Sequence, residues 1–203
     1  MTVTDPESWE PDLWGGRSIA TILTDEHGRL ETLLADAQQV QADDTTRRRQ
    51  IADAFIASLT RHLSAEEQEL FPAARTALPN GDQVIDTEIA ADKEILLTLQ
   101  GLHSADAAGD EFDAALARVE LQLRRHVEAL HEEVFPEFRR RVSREEQVKL
   151  GNRVDIFEEA APTRPHPNTP STPPLNKIVD PALGTVDKVR DVLTGRKTRP
   201  QDL

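Results

Sequence analysis

The stretch RHLSAEEQELFP, Arg61 to Pro72, returns in altered form sixty-four residues later as RHVEALHEEVFP, Arg125 to Pro136. Both copies run His, Ala three positions on, then Glu, an aliphatic residue, Phe and Pro. The residue four places after the His changes from Glu66 to Leu130. Four residues make about one helical turn, so His62 and Glu66 project to the same side of a helix. They continue an apolar stripe, Phe55–Leu59–His62–Glu66–Leu70, that leads into a dry interior. An unpaired charge there costs several kcal/mol. An ordinary hydrogen bond between the pair is one compensation; a cation held by both is the other.

The same reading extends to the other helices. His27 lies four after Leu23 and three before Leu30, on a stripe that also holds Ile19, Ile22, Leu33 and Leu34. His126 continues Val119–Leu123–His126–Leu130. His131 is five residues further, about 140° round an ideal helix, and reaches the same centre only if the helix widens locally. Asp92 falls on the stripe Ile85–Glu88–Asp92–Ile95–Leu99, with Glu88 one turn away on the same face. Polar side chains thus turn inward on four helices. The candidate metal ligands are His27, His62, Glu66, Asp92, His126 and His131. Nitrogen and carboxylate donors without sulfur suit iron, manganese or zinc, and two carboxylates able to bridge suggest a pair of ions. His103, at a helix end, and His166, in a proline-rich segment, are expected to be structural or exposed.

Ser18 reads as the N-cap of the first helix, PNGD at 79–82 as a turn, Gly109–Asp110 as the start of the fourth helix. Ser143 with Glu146 forms a capping box for a shorter fifth. Pro72 is expected to kink its helix rather than end it, since helix formers follow. With no sustained strand alternation, the fold expected is all-α: an antiparallel up-down four-helix bundle with a short extra helix, then a proline-rich arm and C-terminal helix. The predicted organisation is an N-terminal arm over 1–17 bearing Trp9 and Trp14, the bundle over 18–160, and a linker with a short amphipathic helix over 161–203. That last helix is predicted to begin at Asp180–Pro181. Its stripe of Leu183, Val186, Val189 and Leu193 is expected to dock on the bundle, with a protein partner as the alternative.

The chain of 203 residues has no cysteine and no tyrosine, which excludes disulfides, thiolate ligands and phenolic acid–base chemistry. Its net charge of −13 divides into 17 Lys/Arg against 33 Asp/Glu in residues 1–160, and 7 against 4 beyond. So acidic a body repels nucleic acid and anionic membranes. No apolar run approaches the roughly 20 residues that span a bilayer. MTVTDPESWEP lacks the basic and apolar parts of a secretory signal. A cytoplasmic protein without nucleic-acid or membrane partners is expected.

DEHGRLETLL around His27, HLSAEEQELFP from His62 and HVEALHEEVFP from His126 resemble the hemerythrin-like, or HHE cation-binding, family over residues 18–140. The resemblance implies a four-helix bundle around a non-haem di-iron centre that binds O2 or handles peroxide, nitric oxide or iron. It implies that His27 is the first-helix ligand, His62 and Glu66 the second-helix His and bridging Glu, and His126 the fourth-helix His. This chain departs from the pattern elsewhere. His131 stands where oxygen carriers have Asp, Leu130 where related domains have Glu, and Asp92 and Glu88 where third-helix histidines are found. Peroxide decomposition is compatible with such a site, but no residue commits it to turnover. A metal-free bundle signalling through its tail is the alternative. A ferritin-like oxidase ranks last, because only Glu128–His131 gives the required Glu-x-x-His spacing.

Overall fold

The structure is a computed structural model, and it describes residues 15–158, 161–168 and 175–202. Among them every regular element is a helix or a turn of one. Helix α1 spans Ile19–Gln39, and the Ser18 hydroxyl accepts from the Thr21 amide at its start. Helix α2, Thr45–Ala65, is capped by Asp44, which accepts from Arg47. Helices α4, Gly81–Ser104, and α5, Asp110–Ala129, complete four long rods in the order the sequence predicts. Asn80 adopts φ 54° in the turn before α4. A Cβ on the adjoining Gly81 would collide with the Arg75 carbonyl, so the tight PNGD turn requires glycine there.

The repeated Phe-Pro leaves the same mark on both copies. A π turn, Glu66–Leu70, joins α2 to α3, Phe71–Ala77. A second, Leu130–Val134, joins α5 to α6, Phe135–Arg141. In each, the Phe amide bonds the carbonyl five residues back, Phe71 to Glu66 and Phe135 to Leu130. A proline ring collides with the carbonyl four residues before it in a straight α-helix, and widening the preceding turn relieves the clash. Pro72 therefore bends its rod without ending it. The α7 helix, Arg144–Glu158, starts where Ser143 Oγ accepts from the Glu146 amide. It packs on α1 through Gly151, where any side chain would strike the Arg17 carbonyl.

The apolar core is divided. One cluster gathers Leu30, Leu33, Phe55, Leu59, Leu99, Phe112 and Leu123. The other gathers Ile19, Leu23, Leu70, Phe71, Ile85, Phe135 and Phe138. The boundary falls between Leu23 and Leu30 on α1, and between Leu63 and Ala65 on α2. On the other two rods it falls between Ile85 and Ile95 on α4 and between Leu123 and Leu130 at the end of α5. The intervals on α1, α4 and α5 hold His27, Asp92 and His126, and on α2 His62 and Glu66 flank the boundary on either side.

The C-terminal region corrects one expectation. Helix α8 spans Leu175–Thr194 and begins upstream of the predicted Asp180–Pro181 start. Of the expected apolar stripe, Leu183 is half-buried and Val186 is 61% exposed, while Asp187 and Asp191 of the same helix are 1% and 4% exposed. Asp187 accepts from the Thr163 and Arg164 amides, and Asp191 pairs with Arg164 and Arg196. Arg196 also reaches Asp53 of α2 at 3.2 Å. The tail is thus tied down by buried ion pairs with several bonds each, which fix geometry more than apolar contact would. The side chains of Val189 and Leu193, like Trp9 and Trp14 of the N-terminal arm, lie outside the described residues.

Candidate metal centre

Between the two apolar clusters, His27, His62, Glu66 and His126 each offer a donor atom, and these atoms all lie within 4.8 Å of one another. All four side chains are buried. Glu66 stands at the centre. Its Oε1 lies 3.1 Å from Nε2 of His62 and 3.6 Å from Nε2 of His27. Its Oε2 lies 3.2 Å from Nε2 of His126. None of these approaches has hydrogen-bond alignment: Nε2 of all three rings and both Glu66 oxygens lack a hydrogen-bond partner.

The other ring nitrogens explain why. Nδ1 of His62 is 2.8 Å from Glu26 Oε2, and Nδ1 of His27 is 3.0 Å from Nε2 of His131. Nδ1 of His126 is 3.2 Å from Oδ1 of Asp92. A neutral imidazole has a single N–H. When Nδ1 of His62 or His27 donates outward, Nε2 of that ring presents a lone pair to the Glu66 carboxylate. The lone pairs of His27 and His62 beside a buried anion repel it unless a positive charge sits among them, and Nδ1 of His126 lies near Asp92 without hydrogen-bond alignment. Outer partners that fix ring orientation in this way characterise metal-binding histidines. The residues fit a cation.

Asp92 and His131 stand one step out, each on the far side of an imidazole. Asp92 is fully buried with neither oxygen hydrogen-bonded, and burial pushes its carboxyl pKa up. Glu88 lies on the same face of α4, its pKa raised to about 7 by burial and by Asp92. His131 begins the second residue of its π turn, which folds it back toward His27. The ring of Phe135 stacks on His27 with centroids 6.2 Å apart. His103 and His166 stand apart from the group, meeting Arg164 and Asp187 instead. Glu26 escaped the sequence reading. It lies three after Leu23 and four before Leu30, so the test that found Asp92 would have found it.

Without a metal, protons must supply the positive charge. Burial opposes the charge on His62, yet Glu66 and Glu26 outweigh it and raise its pKa to about 9. His126 is likewise raised, by Glu66 and Asp92 against burial. His27 is lowered to about 4 by burial and stays neutral. A group whose pKa is raised on folding stabilises the fold fully below its unfolded value and loses that contribution as pH climbs through the folded one. The His62 contribution, on the order of 3 kcal/mol, is therefore present near pH 6.5 and fades through about 9. Metal-free protein is expected to show a falling urea midpoint between these pH values. Metal-loaded protein should hold its midpoint, because the ion replaces the protons. Equal pH profiles for the two forms would contradict this electrostatic account.

Compared with protein-family models, the chain matches the hemerythrin HHE cation binding domain over residues 18–138. No curated protein and no solved structure matches it. The matched span begins at the cap of α1 and ends in α6, so it takes in all four members of the buried His/Glu group and both π turns. More than half of the chain is covered, and this protein belongs to the hemerythrin HHE cation-binding family.

Proposed function

We propose that this bundle holds non-haem iron through His27, His62, Glu66 and His126 and engages O2, peroxide or nitric oxide there. The observation that carries the reading is the set of buried, unpartnered Nε2 atoms facing both Glu66 oxygens. A pair of ions is favoured over one because Glu66 turns Oε1 to His27 and His62 and Oε2 to His126. That division suits a bridging carboxylate. At the His126 end Asp92, 3.2 Å from Nδ1 on the outer side of the ring, would orient His126 toward the second ion rather than hold that ion itself.

Iron in such a site supplies affinity for small oxygen and nitrogen ligands. The chain's residues supply the rest. Glu26 and His131 hold His62 and His27 by their Nδ1 atoms, which aims Nε2 inward. Phe135 covers the His27 ring and limits water there. Leu130, at the position equivalent to Glu66 in the second copy, offers no donor, so the side chains do not fill an octahedral set. A cavity of about 500 Å³ between α4 and α5, lined by Glu88, Arg125, His126 and Ala129, supplies a path to the His126 side. No helix among the described residues is long and apolar enough to cross a membrane.

Protein produced in iron-replete cells is expected to contain about two irons per chain. Its oxidised form should show near-ultraviolet bands of bridged ferric ions. About one iron without those bands would reject the bridged pair while keeping the metal site. Zinc or manganese in the same amount would reject iron. Metal below about a tenth of an equivalent in every preparation would reject the proposal and favour a bundle held by imidazolium–carboxylate pairs.

A further inference from the structure

A second feature of the molecule does not depend on a metal in the buried His/Glu group. The C-terminal tail does not lie flat on the bundle. Between α1 and α2 on one side and α8 with residues 195–201 on the other is a cavity of about 1010 Å³. Arg29 and Arg61 line its bundle side; Lys188, Arg196, Lys197 and Arg199 line the tail side.

Two of these cations are committed. Arg196 pairs with Asp53 and Asp191, and Arg61 donates to the Thr198 carbonyl and Ser58 Oγ. Arg29, Lys188, Lys197 and Arg199 make no ion pair among the described residues. The acids lining the cavity, Glu26 and Asp191, are already engaged by His62 and by Arg164 with Arg196. Unbalanced positive charge therefore faces one hollow, in a chain whose first 160 residues hold 33 acids against 17 bases. Like charges gathered around a shared void repel. Folding brings them together without supplying an anion.

The lining also has an apolar part. Leu30 and Leu33 present the flank of α1, and opposite them Val192 is 81% exposed although it lines the cavity. The volume is of the size that holds a small organic molecule, far more than one inorganic anion needs. We propose that this cavity binds an organic phosphate with at least two negative charges and a ring, a molecule of the nucleoside diphosphate class. Arg29, Lys197 and Arg199 would bind the phosphates by charge-assisted hydrogen bonds. The ring would lie against Leu30, Leu33 and Val192. Glu26 and His62 share this lining, so the bound molecule would neighbour the buried centre.

The test uses the full metal-loaded chain with a fluorescent ADP derivative, and with ADP, pyrophosphate and adenosine as competitors. Saturable binding of one probe per chain is expected, weakening as salt rises. ADP should displace the probe at lower concentration than pyrophosphate does. The K197A/R199A double variant should bind at least about tenfold more weakly, the cost of one lost charge-assisted contact. Its metal content should be unchanged, since neither residue meets the buried His/Glu group. Arg140→Ala, on the exposed face of α6, should bind like the unaltered chain. Absence of saturable binding, or equal affinity in the double variant, would overturn the site. ADP and pyrophosphate displacing the probe equally would overturn the ring-bearing ligand.

Discussion

Replacing His62 with alanine is expected to lower bound metal to below about a tenth of an equivalent, whereas His166→Ala should leave it intact. The contrast follows from where each ring points. Nε2 of His62 lies 3.1 Å from Glu66, while its Nδ1 is fixed by Glu26. Deleting that ring removes a donor and strands two buried carboxylates. Nε2 of His166 meets Asp187 of the tail, away from the buried group. Glu26→Gln should fall between the two. It keeps the ring but weakens the partner that orients it, a change that typically costs about ten- to a hundredfold in metal affinity. The order His62→Ala, then Glu26→Gln, then His166→Ala is read by elemental analysis and by titration with a competing chelator. Metal retained in His62→Ala, or lost equally in His166→Ala, would mean that the ion sits elsewhere.

Stripping the metal from the unaltered protein should lower its melting temperature by about 10 °C. An ion that binds only the folded chain, present at about a thousand times its dissociation constant, stabilises by about 4 kcal/mol. For a chain of this size each kcal/mol is worth roughly 2–4 °C. The loss is expected at neutral pH, where protons on His62 and His126 only partly replace the ion. Re-adding iron should restore the transition. A melting temperature indifferent to chelator and to re-added iron would contradict a filled centre.

Much of the bundle was legible because burial on a helix is periodic. His27, His62, Asp92 and His126 interrupt otherwise apolar stripes, and the structure puts all four between the two core clusters. The family resemblance over the same rods is matched by the domain assignment. Glu26 fits the same stripe by spacing, but a glutamate beside His27 on one turn reads equally as an exposed neighbour until its partner, Nδ1 of His62 on another helix, is known. The position of His131 needed a widened turn, and the Phe-Pro pair that imposes one was visible as a repeat without its consequence being drawn for both copies.

The contacts of the tail are not legible in the sequence for a physical reason. Its apolar stripe predicts a docking face, whereas Asp187 and Asp191 of the same helix are 1% and 4% exposed. Whether a carboxylate is buried depends on the cations that meet it, here Arg164 and Arg196, and sequence spacing does not reveal that pairing. The same pairing leaves Lys188, Lys197 and Arg199 facing the cavity.

The central proposition is that three imidazoles and one carboxylate, drawn from three rods, close on a positive ion. Crystals of iron-loaded protein measured on either side of the iron absorption edge address it directly. The account predicts anomalous density enclosed by Nε2 of His27, His62 and His126, with Glu66 touching it through its oxygens. Anomalous density at the molecular surface alone, with those nitrogens instead sharing protons with Glu66, would contradict it.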